Sequence, residues 1–362
     1  MAVIHDRTPA LTLLAGDRAL ARIREQGLTP SDVSILPGAA GGPKGLGIQG
    51  LDLALFGDWL PRSPQTRSLI GSSIGSWRFA SACLPDPVAG LRRLGELYTQ
   101  QRFQRGLSRG EVTEKCALML DQLLEGQGAR ILCNPHYRLQ LVVARSKGLL
   151  VSDATVPLML GLSGVILANA LHRPWLRGFF ERVLLHDPRQ APPLGPYRDM
   201  PGRHAHLSEA NLQQALLASG SIPGVMNAVP SIDGVAGRGF RDGGMVDYHL
   251  DLPYRTEGVV LYPHFTDHLV PGWFDKPWRW RRGQRQQLQD VLILAPSAHY
   301  LSRLPGGKLP DRHDFVTYEG DDPARERAWR RAMAESERLG EEFLALADNG
   351  DIRHRVEPLF RG

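Results

Sequence analysis

Residues 68–77 read Ser-Leu-Ile-Gly-Ser-Ser-Ile-Gly-Ser-Trp, a pattern in which a short apolar run meets a cluster of small residues. It predicts a strand, a sharp turn and the start of a helix, with Gly-x-Ser-x-Gly centred on Ser73. A serine at such a turn is held in strained backbone geometry, and Gly71 and Gly75 let strand and helix pass closely. The helix N-terminus then faces the position where an oxyanion would form. The pentapeptide alone is a modest signal, so the other motifs decide its meaning.

A second strand–loop–helix unit precedes the first. Residues 33–36 predict a buried strand, residues 38–45 form a glycine-rich loop, and residues 46–60 predict a helix. Backbone N–H groups converge in such a loop and the helix dipole adds positive potential, so the loop favours an anion. With a serine on the next strand, the loop predicts an oxyanion hole built from the N–H groups of Gly41 and Gly42.

Nucleotide binding is the alternative for this loop. A P-loop requires Gly-Lys-Ser/Thr, whereas here Pro43 precedes Lys44 and Gly45 follows it. Residues 45–50 match Gly-x-Gly-x-x-Gly, but they lie mostly inside the predicted helix. No acidic residue closes the next strand at 68–70, where a ribose partner would be expected. Both nucleotide patterns are therefore weaker than the oxyanion interpretation.

Strands and helices alternate along the rest of the chain. Apolar periodicity predicts further strands over 137–144, 259–262 and 291–294. It predicts further helices over 8–27, 75–83, 87–104, 111–124, 207–219 and from Asp322-Pro323 to about 347. This alternation predicts an α/β fold with a mostly parallel central sheet. The segment from 145 to about 205 is apolar with Pro and Gly breaks, and we expect a helical insertion there.

Composition and charge indicate a globular protein and argue against a secreted or membrane-spanning one. The chain has 362 residues, 42% apolar and 22% charged, which is a globular balance, and its net charge of +5 does not by itself argue for nucleic acid. The three cysteines are odd in number and lack metal-ligand spacing, which indicates reduced thiols and a cytoplasmic protein. Residues 1–14 lack the pattern of a signal peptide. The apolar run 156–171 is short for a membrane span and is broken by Gly161 and Gly164, which favours a buried helix.

Two further motifs follow in order. Residues 218–223 read Ala-Ser-Gly-Ser-Ile-Pro, and residues 239–247 contain Asp242-Gly-Gly, which in isolation indicates only a tight turn. Together with the glycine-rich loop and the Ser73 elbow, these motifs resemble the patatin-like phospholipase family of lipid acyl hydrolases over roughly residues 34–253. The resemblance implies a three-layer α/β/α fold and a Ser–Asp dyad in place of a Ser–His–Asp triad.

The resemblance also implies roles for individual residues. It makes Ser73 the nucleophile and Asp242 the general base, with Gly41 and Gly42 supplying the oxyanion N–H groups and Lys44 beside them. A serine hydroxyl becomes a good nucleophile when a base takes its proton. A solvated aspartate, with a pKa of about 4, is a weak base, and burial in a dry cleft raises that pKa. The sequence therefore predicts a serine acyl hydrolase acting on lipid or other esters, without a cofactor or metal.

The resemblance implies a domain organisation, and the sequence departs from the family pattern in two places. We expect a single patatin-like domain over 1–362, with a motif-bearing core over 33–255 and a C-terminal extension over 256–362. Ala40 stands where the family loop often has a glycine, which affects the shape of the loop more than its chemistry. Trp77-Arg78 follows the elbow, where smaller residues are common.

Three other functions stay open on the sequence. A Ser–His–Asp esterase would need a histidine after Asp242, and the candidates are His249, His264, His268 and His299. An acyltransferase would use the same dyad with an acceptor other than water. A non-catalytic lipid- or partner-binding module would keep the fold without acylation at Ser73.

One stretch suggests a partner. Between Trp273 and Arg285, tryptophans alternate with cations, a pattern that suits lipid headgroups or stacking on single-stranded nucleic acid. With a lipid hydrolase as the leading interpretation, we expect peripheral membrane contact through this stretch and no nucleic acid. Residues 156–171 are a candidate lid or acyl-pocket wall.

Overall fold

The computed structural model describes residues 8–197 and 199–360, and a ten-stranded sheet runs through these ranges. The strands are β1 (Leu11–Ala15), β2 (Val33–Gly38), β3 (Arg67–Ser72), β4 (Tyr137–Ser146), β5 (Phe180–His186), β6 (Gly202–His206), β7 (Phe240–Asp242), β8 (Val259–Pro263), β9 (Val291–Pro296) and β10 (Val356–Pro358). Their spatial order is β10-β1-β9-β8-β2-β3-β4-β5-β6, and β7 pairs with β4. Most pairings are parallel; β1 with β9, β4 with β5 and β4 with β7 are antiparallel.

Helices packed against this sheet complete a three-layer α/β/α architecture. They are α1 (Asp17–Gln26), α2 (Gln49–Ala54), α3 (Ile74–Ala82), α4 (Pro87–Thr99), α5 (Arg109–Leu124), α6 (Gly128–Leu132), α7 (Thr155–Leu171), α8 (Glu209–Gly220), α9 (Ala298–Ser302), α10 (Asp314–Thr317), α11 (Asp322–Glu335), α12 (Glu337–Asp348) and α13 (Ile352–Arg355). Strands β3, β8 and β9 are buried along their whole length, as expected when both faces of a parallel sheet are covered. The predicted α/β class with a mostly parallel sheet is confirmed.

The prediction of one helix over 8–27 is wrong, because its first part is strand β1. Leu11–Ala15 pairs with β9 on one side and its end pairs with β10 on the other, so distant backbone partners outweigh the helical spacing of the apolar residues. The helix starts only at Asp17. A short apolar run does not distinguish a buried strand from a helix, which explains the error.

The prediction of a helical insertion over 145–205 is correct only for α7. The same segment also contains β5 and β6, which extend the sheet beyond β4. Strand β5 pairs antiparallel with β4, and β6 then pairs parallel with β5. The Pro and Gly residues obscured these strands, and β5 joins the sheet only through its pairing with β4, which a local sequence pattern does not reveal.

The last predicted helix is two helices, α11 and α12, that meet at Ser336. The Ser336 hydroxyl accepts a hydrogen bond from the Gly50 N–H at 2.8 Å, which fixes the junction against α2. The predicted helix over 46–60 begins earlier, as a 3₁₀ turn over Gly42–Ile48, and ends as a π turn over Leu55–Trp59.

No helix within residues 8–197 and 199–360 is long and apolar enough to cross a membrane. Helix α7, which contains the longest apolar run, has 17 residues. The prediction that this helix is buried is wrong, because only one of its faces packs on the protein and six of its apolar side chains are more than half exposed. The prediction that 1–14 form no signal peptide concerns in part residues 1–7, which lie outside the described residues.

Candidate active site

Ser73 occupies the sharp turn between β3 and α3. Its backbone has φ 55° and ψ −124°, in the left-handed half of the map, which non-glycine residues adopt only under strain. Helix α3 begins at the next residue, and a Cβ on Gly75 would lie 1.9 Å from the Gly38 carbonyl oxygen. Only glycine therefore lets α3 pack this closely on β2. The turn has the geometry that the Gly-x-Ser-x-Gly pattern predicts.

Strand register places Asp242 beside this turn. The end of β3 pairs Ser72 with Val142 of β4, and the next residue of β4, Val143, pairs with Asp242 of β7. Strand β4 is thus a common neighbour that brings the ends of β3 and β7 together. The backbone after Asp242 lies so close to β4 that a Cβ on Gly243 would be 2.2 Å from the Val142 carbonyl oxygen.

The two predicted catalytic side chains form a direct hydrogen bond. Ser73 Oγ donates to Asp242 Oδ2 at 2.7 Å, and the Gly244 N–H donates to Asp242 Oδ1 at 2.7 Å. Both Ser73 and Asp242 are buried. Burial raises the pKa of Asp242, opposed by the positive charge of Arg312 and by the hydrogen bond from Ser73. A carboxylate with a raised pKa is a stronger base than a solvated one, so this pair can remove the serine proton.

Ser219, at the end of α8, holds the nucleophile in place. Its Oγ accepts a hydrogen bond from the Ser73 N–H at 2.9 Å, donates to the Val142 carbonyl at 2.8 Å and lies 2.8 Å from Ser76 Oγ. Since the Ser73 N–H is occupied, it is not free to bind an oxyanion. The motif at 218–223 contains Ser219, but the sequence does not say what its hydroxyl contacts.

Oxyanion donors are available from the glycine-rich loop. The N–H groups of Gly41 and Gly42 have no hydrogen-bond partner within the part of the chain that the structure describes. Each glycine lines a cavity that also contains Ser73. The alanine at position 40, where the family loop often has a glycine, is accommodated in this loop. Its N–H donates to the Tyr248 carbonyl at 2.9 Å and anchors the loop. The pair can therefore serve the role that the sequence predicts.

Lys44 lies beside these glycines and lines the same cavity as Gly41. Its ammonium group is 5.2 Å from the centre of the Phe265 ring. Partial burial lowers the pKa of Lys44, and the nearby charge of Asp311 opposes that shift. The side chain adds positive potential to the loop.

Two cavities meet at Ser73, and they differ in chemistry. The first has a volume of about 270 Å³ and apolar walls that include Trp77, Phe103, Val112, Ile222, Met226 and Phe315. The second has a volume of about 320 Å³ and is lined by polar groups that include Lys44, Asp242, Tyr248, Lys276, Asp311 and Arg312. Arg312 lines both cavities. The apolar cavity suits an acyl chain, and the polar cavity suits a charged group.

The structure does not assemble the Ser–His–Asp alternative. None of the four candidate histidines lines either cavity at Ser73. His249 Nδ1 accepts a hydrogen bond from the Val270 N–H at 3.0 Å, and His264 Nδ1 lies 2.7 Å from the Thr266 carbonyl oxygen. Burial lowers the pKa of His264 to about 3, so this ring stays neutral in a structural position.

Two other sequence features have structural explanations. Residues 45–50 are mostly buried, and a Cβ on Gly50 would lie 2.2 Å from the Ser336 carbonyl oxygen, so these glycines serve helix packing and leave no space for a dinucleotide. Of the unusual pair after the elbow, Trp77 forms a wall of the apolar cavity. Arg78 forms a buried two-point ion pair with Asp52, at 2.7 and 2.6 Å.

Arg312 and Lys276 are two charged cavity residues to which the sequence assigned no role at the nucleophile. Arg312 belongs to no motif, and it reaches the site only because residues 304–317 fold over the glycine-rich loop. Lys276 lies in the stretch from Trp273 to Arg285, whose alternation of cations and aromatics indicated a lipid contact and gave no sign of a place at the nucleophile.

Compared with known proteins, the chain matches no protein-family model and no curated protein. Within residues 8–197 and 199–360, no group of three or more His, Cys, Asp or Glu side chains is placed to hold a metal ion. The absence of a metal or cofactor in the reaction stays a prediction.

Proposed function

We propose that this protein is a serine acyl hydrolase that cleaves carboxylic esters of the lipid type, with Ser73 as nucleophile and Asp242 as general base. The observation that carries the proposal is the 2.7 Å hydrogen bond from a strained serine to a buried carboxylate. Two amide donors that have no hydrogen-bond partner among the described residues lie on the adjacent loop, at Gly41 and Gly42. The order of the motifs, which resembles that of patatin-like phospholipases, supports the same chemistry.

The reaction follows from these positions. Ser73 Oγ attacks the ester carbonyl carbon while its proton passes to Asp242, and the N–H groups of Gly41 and Gly42 bind the resulting oxyanion. Collapse breaks the bond to the alcohol oxygen, which takes the proton from Asp242 and leaves an acyl-enzyme. Water then gives a proton to Asp242 and attacks the acyl carbon, which releases the acid and returns the proton to Ser73. An alcohol in place of water would make the same dyad an acyltransferase.

Labelling with a fluorophosphonate tests the nucleophile directly. We expect one adduct, on Ser73, by intact mass and peptide mapping, and no adduct in Ser73→Ala. Ser72→Ala is the matched control, because the neighbouring Ser72 hydroxyl is buried without a hydrogen-bond partner among the described residues and should be dispensable. Absence of an adduct on folded protein would overturn the proposal and favour a non-catalytic lipid- or partner-binding module.

A lipid surface is the partner that we propose for the outer face of α7. This helix carries no Asp, Glu, Lys or Arg, and six of its apolar side chains are more than half exposed: Val156, Met159, Leu160, Ile166, Leu167 and Leu171. Exposed apolar surface of this extent is typical of an interaction site. Trp273 and Trp280 are also exposed, and Trp273 lines the polar cavity at Ser73.

Asp275 connects the two parts of this face. It is fully buried and accepts hydrogen bonds from Asn169 of α7 and from Arg281. Arg285 forms an ion pair with Asp17 at 2.8 Å. Two of the arginines in the predicted lipid-contact stretch therefore have structural partners, and the apolar and aromatic side chains supply most of the proposed contact.

Vesicle sedimentation tests this contact. We expect Leu160→Glu with Leu167→Glu to weaken binding to phosphatidylglycerol vesicles while labelling of Ser73 in solution is unchanged. Leu118→Glu is the control, because Leu118 is another exposed leucine, located on α5. Unchanged vesicle binding would overturn the lipid proposal, as would a dimer in solution that the α7 changes dissociate.

A further inference from the structure

Three cations line the polar cavity beside Ser73, and none of them forms an ion pair with a described residue. They are Lys44, Lys276 and Arg312, which come from three separate segments of the chain. The cavity has two carboxylates, and both are already engaged. Asp242 accepts the hydrogen bond from Ser73, and Asp311 pairs with Lys308 at 2.9 Å.

Aromatic rings hold two of these cations in position. The Lys276 ammonium group is 3.9 Å from the centre of the Tyr248 ring, and the Lys44 ammonium group is 5.2 Å from that of Phe265. Such contacts orient a cation without neutralising it. Partial burial, together with the charges of Lys44 and Arg312, lowers the pKa of Lys276 to about 7. The cavity thus has three cationic side chains against two carboxylates, so positive groups outnumber negative ones in its lining.

Arg312 lies next to the predicted oxyanion donors. A Cβ on Gly42 would be 3.0 Å from Arg312 Nε, and the guanidinium group also contacts the Tyr98 hydroxyl. Because Arg312 lines both cavities, it stands where the apolar space ends and the charged space begins. A guanidinium group binds phosphate and carboxylate through two parallel hydrogen bonds, which suits this boundary position.

We propose that the polar cavity is a subsite for an anionic group on the alcohol part of the ester. This inference rests on the proposed function. The tetrahedral carbon at Ser73 carries an acyl substituent and an alcohol substituent, and the two cavities that meet there can take one each. A charge is excluded from the apolar cavity by desolvation, so the acyl chain occupies that side. The substrate class is an ester between an apolar acid and an alcohol that bears phosphate or carboxylate.

The anionic group takes no part in bond breaking, so its contacts are present before and during the reaction. Interactions of this uniform kind lower KM more than they raise kcat. Removing one hydrogen bond to a charged group typically lowers kcat/KM roughly 10- to 100-fold. We expect Lys276→Met and Arg312→Gln to lower the ratio of kcat/KM for an anionic ester to kcat/KM for a neutral ester with the same acyl chain by this factor, because any effect on Asp242 is common to both substrates.

The test compares 1-acylglycerol 3-phosphate with 1-acylglycerol of the same chain length, as monomers, on the full-length protein. The ratio of their kcat/KM values cancels any effect of the lost cation on Asp242, since both substrates use the same base. Arg130→Gln is the control, because Arg130 is exposed and lines neither cavity at Ser73. Circular dichroism and fluorophosphonate labelling show whether each variant is folded and has a reactive Ser73.

We expect the wild-type protein to prefer the phosphate ester, and Lys276→Met and Arg312→Gln to reduce that preference through KM while Arg130→Gln keeps it. Competitive inhibition by glycerol 3-phosphate that is stronger than inhibition by inorganic phosphate would show that the subsite binds the alcohol part of the ester. Stronger inhibition by inorganic phosphate would assign the subsite to free phosphate and overturn the ester-subsite proposal. Equal kcat/KM for the two esters, or a ratio unchanged in both variants, overturns the subsite alone. Absence of both turnover and labelling refutes the proposed function itself.

Discussion

Replacing Asp242 by asparagine would remove the proposed general base while keeping the shape of the side chain and its hydrogen bond from Gly244. The asparagine carbonyl oxygen can accept the hydrogen bond from the Gly244 N–H, which is now 2.7 Å long. Its amide nitrogen would occupy the position of Oδ2, 2.7 Å from Ser73 Oγ, and would donate to the hydroxyl in place of accepting its proton. The fold should therefore be intact, and only the proton transfer is lost.

The magnitude follows from the role of the base. A positioned general base contributes about 100- to 10,000-fold to the rate, so we expect kcat/KM for a soluble ester to fall by at least about 100-fold. That fall corresponds to about 2.7 kcal/mol or more of lost transition-state stabilisation. Initial-rate kinetics on a 4-nitrophenyl ester, with active protein counted by mass spectrometry, measure it.

The same substitution should make the protein more stable. Burial raises the pKa of Asp242, so the carboxylate lowers the stability of the folded state as pH rises from the ordinary aspartate pKa through the raised one. Asparagine has no charge to bury, and its advantage in thermal unfolding should grow over that same pH interval. Retained activity would refute the assignment of the base. A fall in stability at neutral pH would refute the account of the buried charge.

Three further outcomes follow from the described contacts. The acid limb of kcat/KM for a neutral ester should lie above the ordinary aspartate pKa, and Arg312→Gln should move it to higher pH, because a lost cation raises the pKa of Asp242. Gly75→Ala should lower the free energy of unfolding by about 3 kcal/mol or more, because its Cβ would lie 1.9 Å from a carbonyl oxygen of β2. Asp52→Ala should cost about 3–5 kcal/mol in chemical denaturation, since it leaves Arg78 buried without its partner.

Matched variants separate these effects from general damage. Gly178→Ala should be nearly neutral, because a Cβ there meets no heavy atom within 4 Å. Replacing Asp52 and Arg78 together by leucine and methionine should recover much of the stability lost in Asp52→Ala. An acid limb that does not move in Arg312→Gln would contradict the electrostatic coupling to Asp242. Equal stability of the two glycine variants would contradict the close packing of α3 on β2.

Local pattern was sufficient for the elements that carry the motifs. Strands β2, β3, β8 and β9 are short buried apolar runs, and their positions were predictable from composition and turn residues alone. Strand β1 was mistaken for a helix because its partner β9 is distant in the chain. Strands β5 and β6 were missed because β5 joins the sheet through β4 and β6 joins it only through β5. A short window of sequence carries no information about backbone hydrogen bonds between distant segments.

Some residues of the candidate site were likewise predictable from the sequence, and others were not. The motifs at Ser73, Gly41 and Gly42 were visible in the sequence, because a strained turn and a close backbone approach demand small residues at fixed spacing. The role of Asp242 was implied only by the resemblance to patatin-like phospholipases. Arg312 was not predictable. An exposed arginine outside any motif has no spacing that indicates what it faces.

By itself, the amino-acid sequence determined the α/β class, the serine at the strand-to-helix turn and the aspartate before two glycines, since these features depend on neighbouring residues. Only the tertiary structure decided that the serine and the aspartate share a hydrogen bond, because β4 brings β3 and β7 into register. It also decided that an apolar and a cationic cavity meet at that serine. Cavities are formed by side chains from separate segments, and their chemistry exists only once the chain has folded.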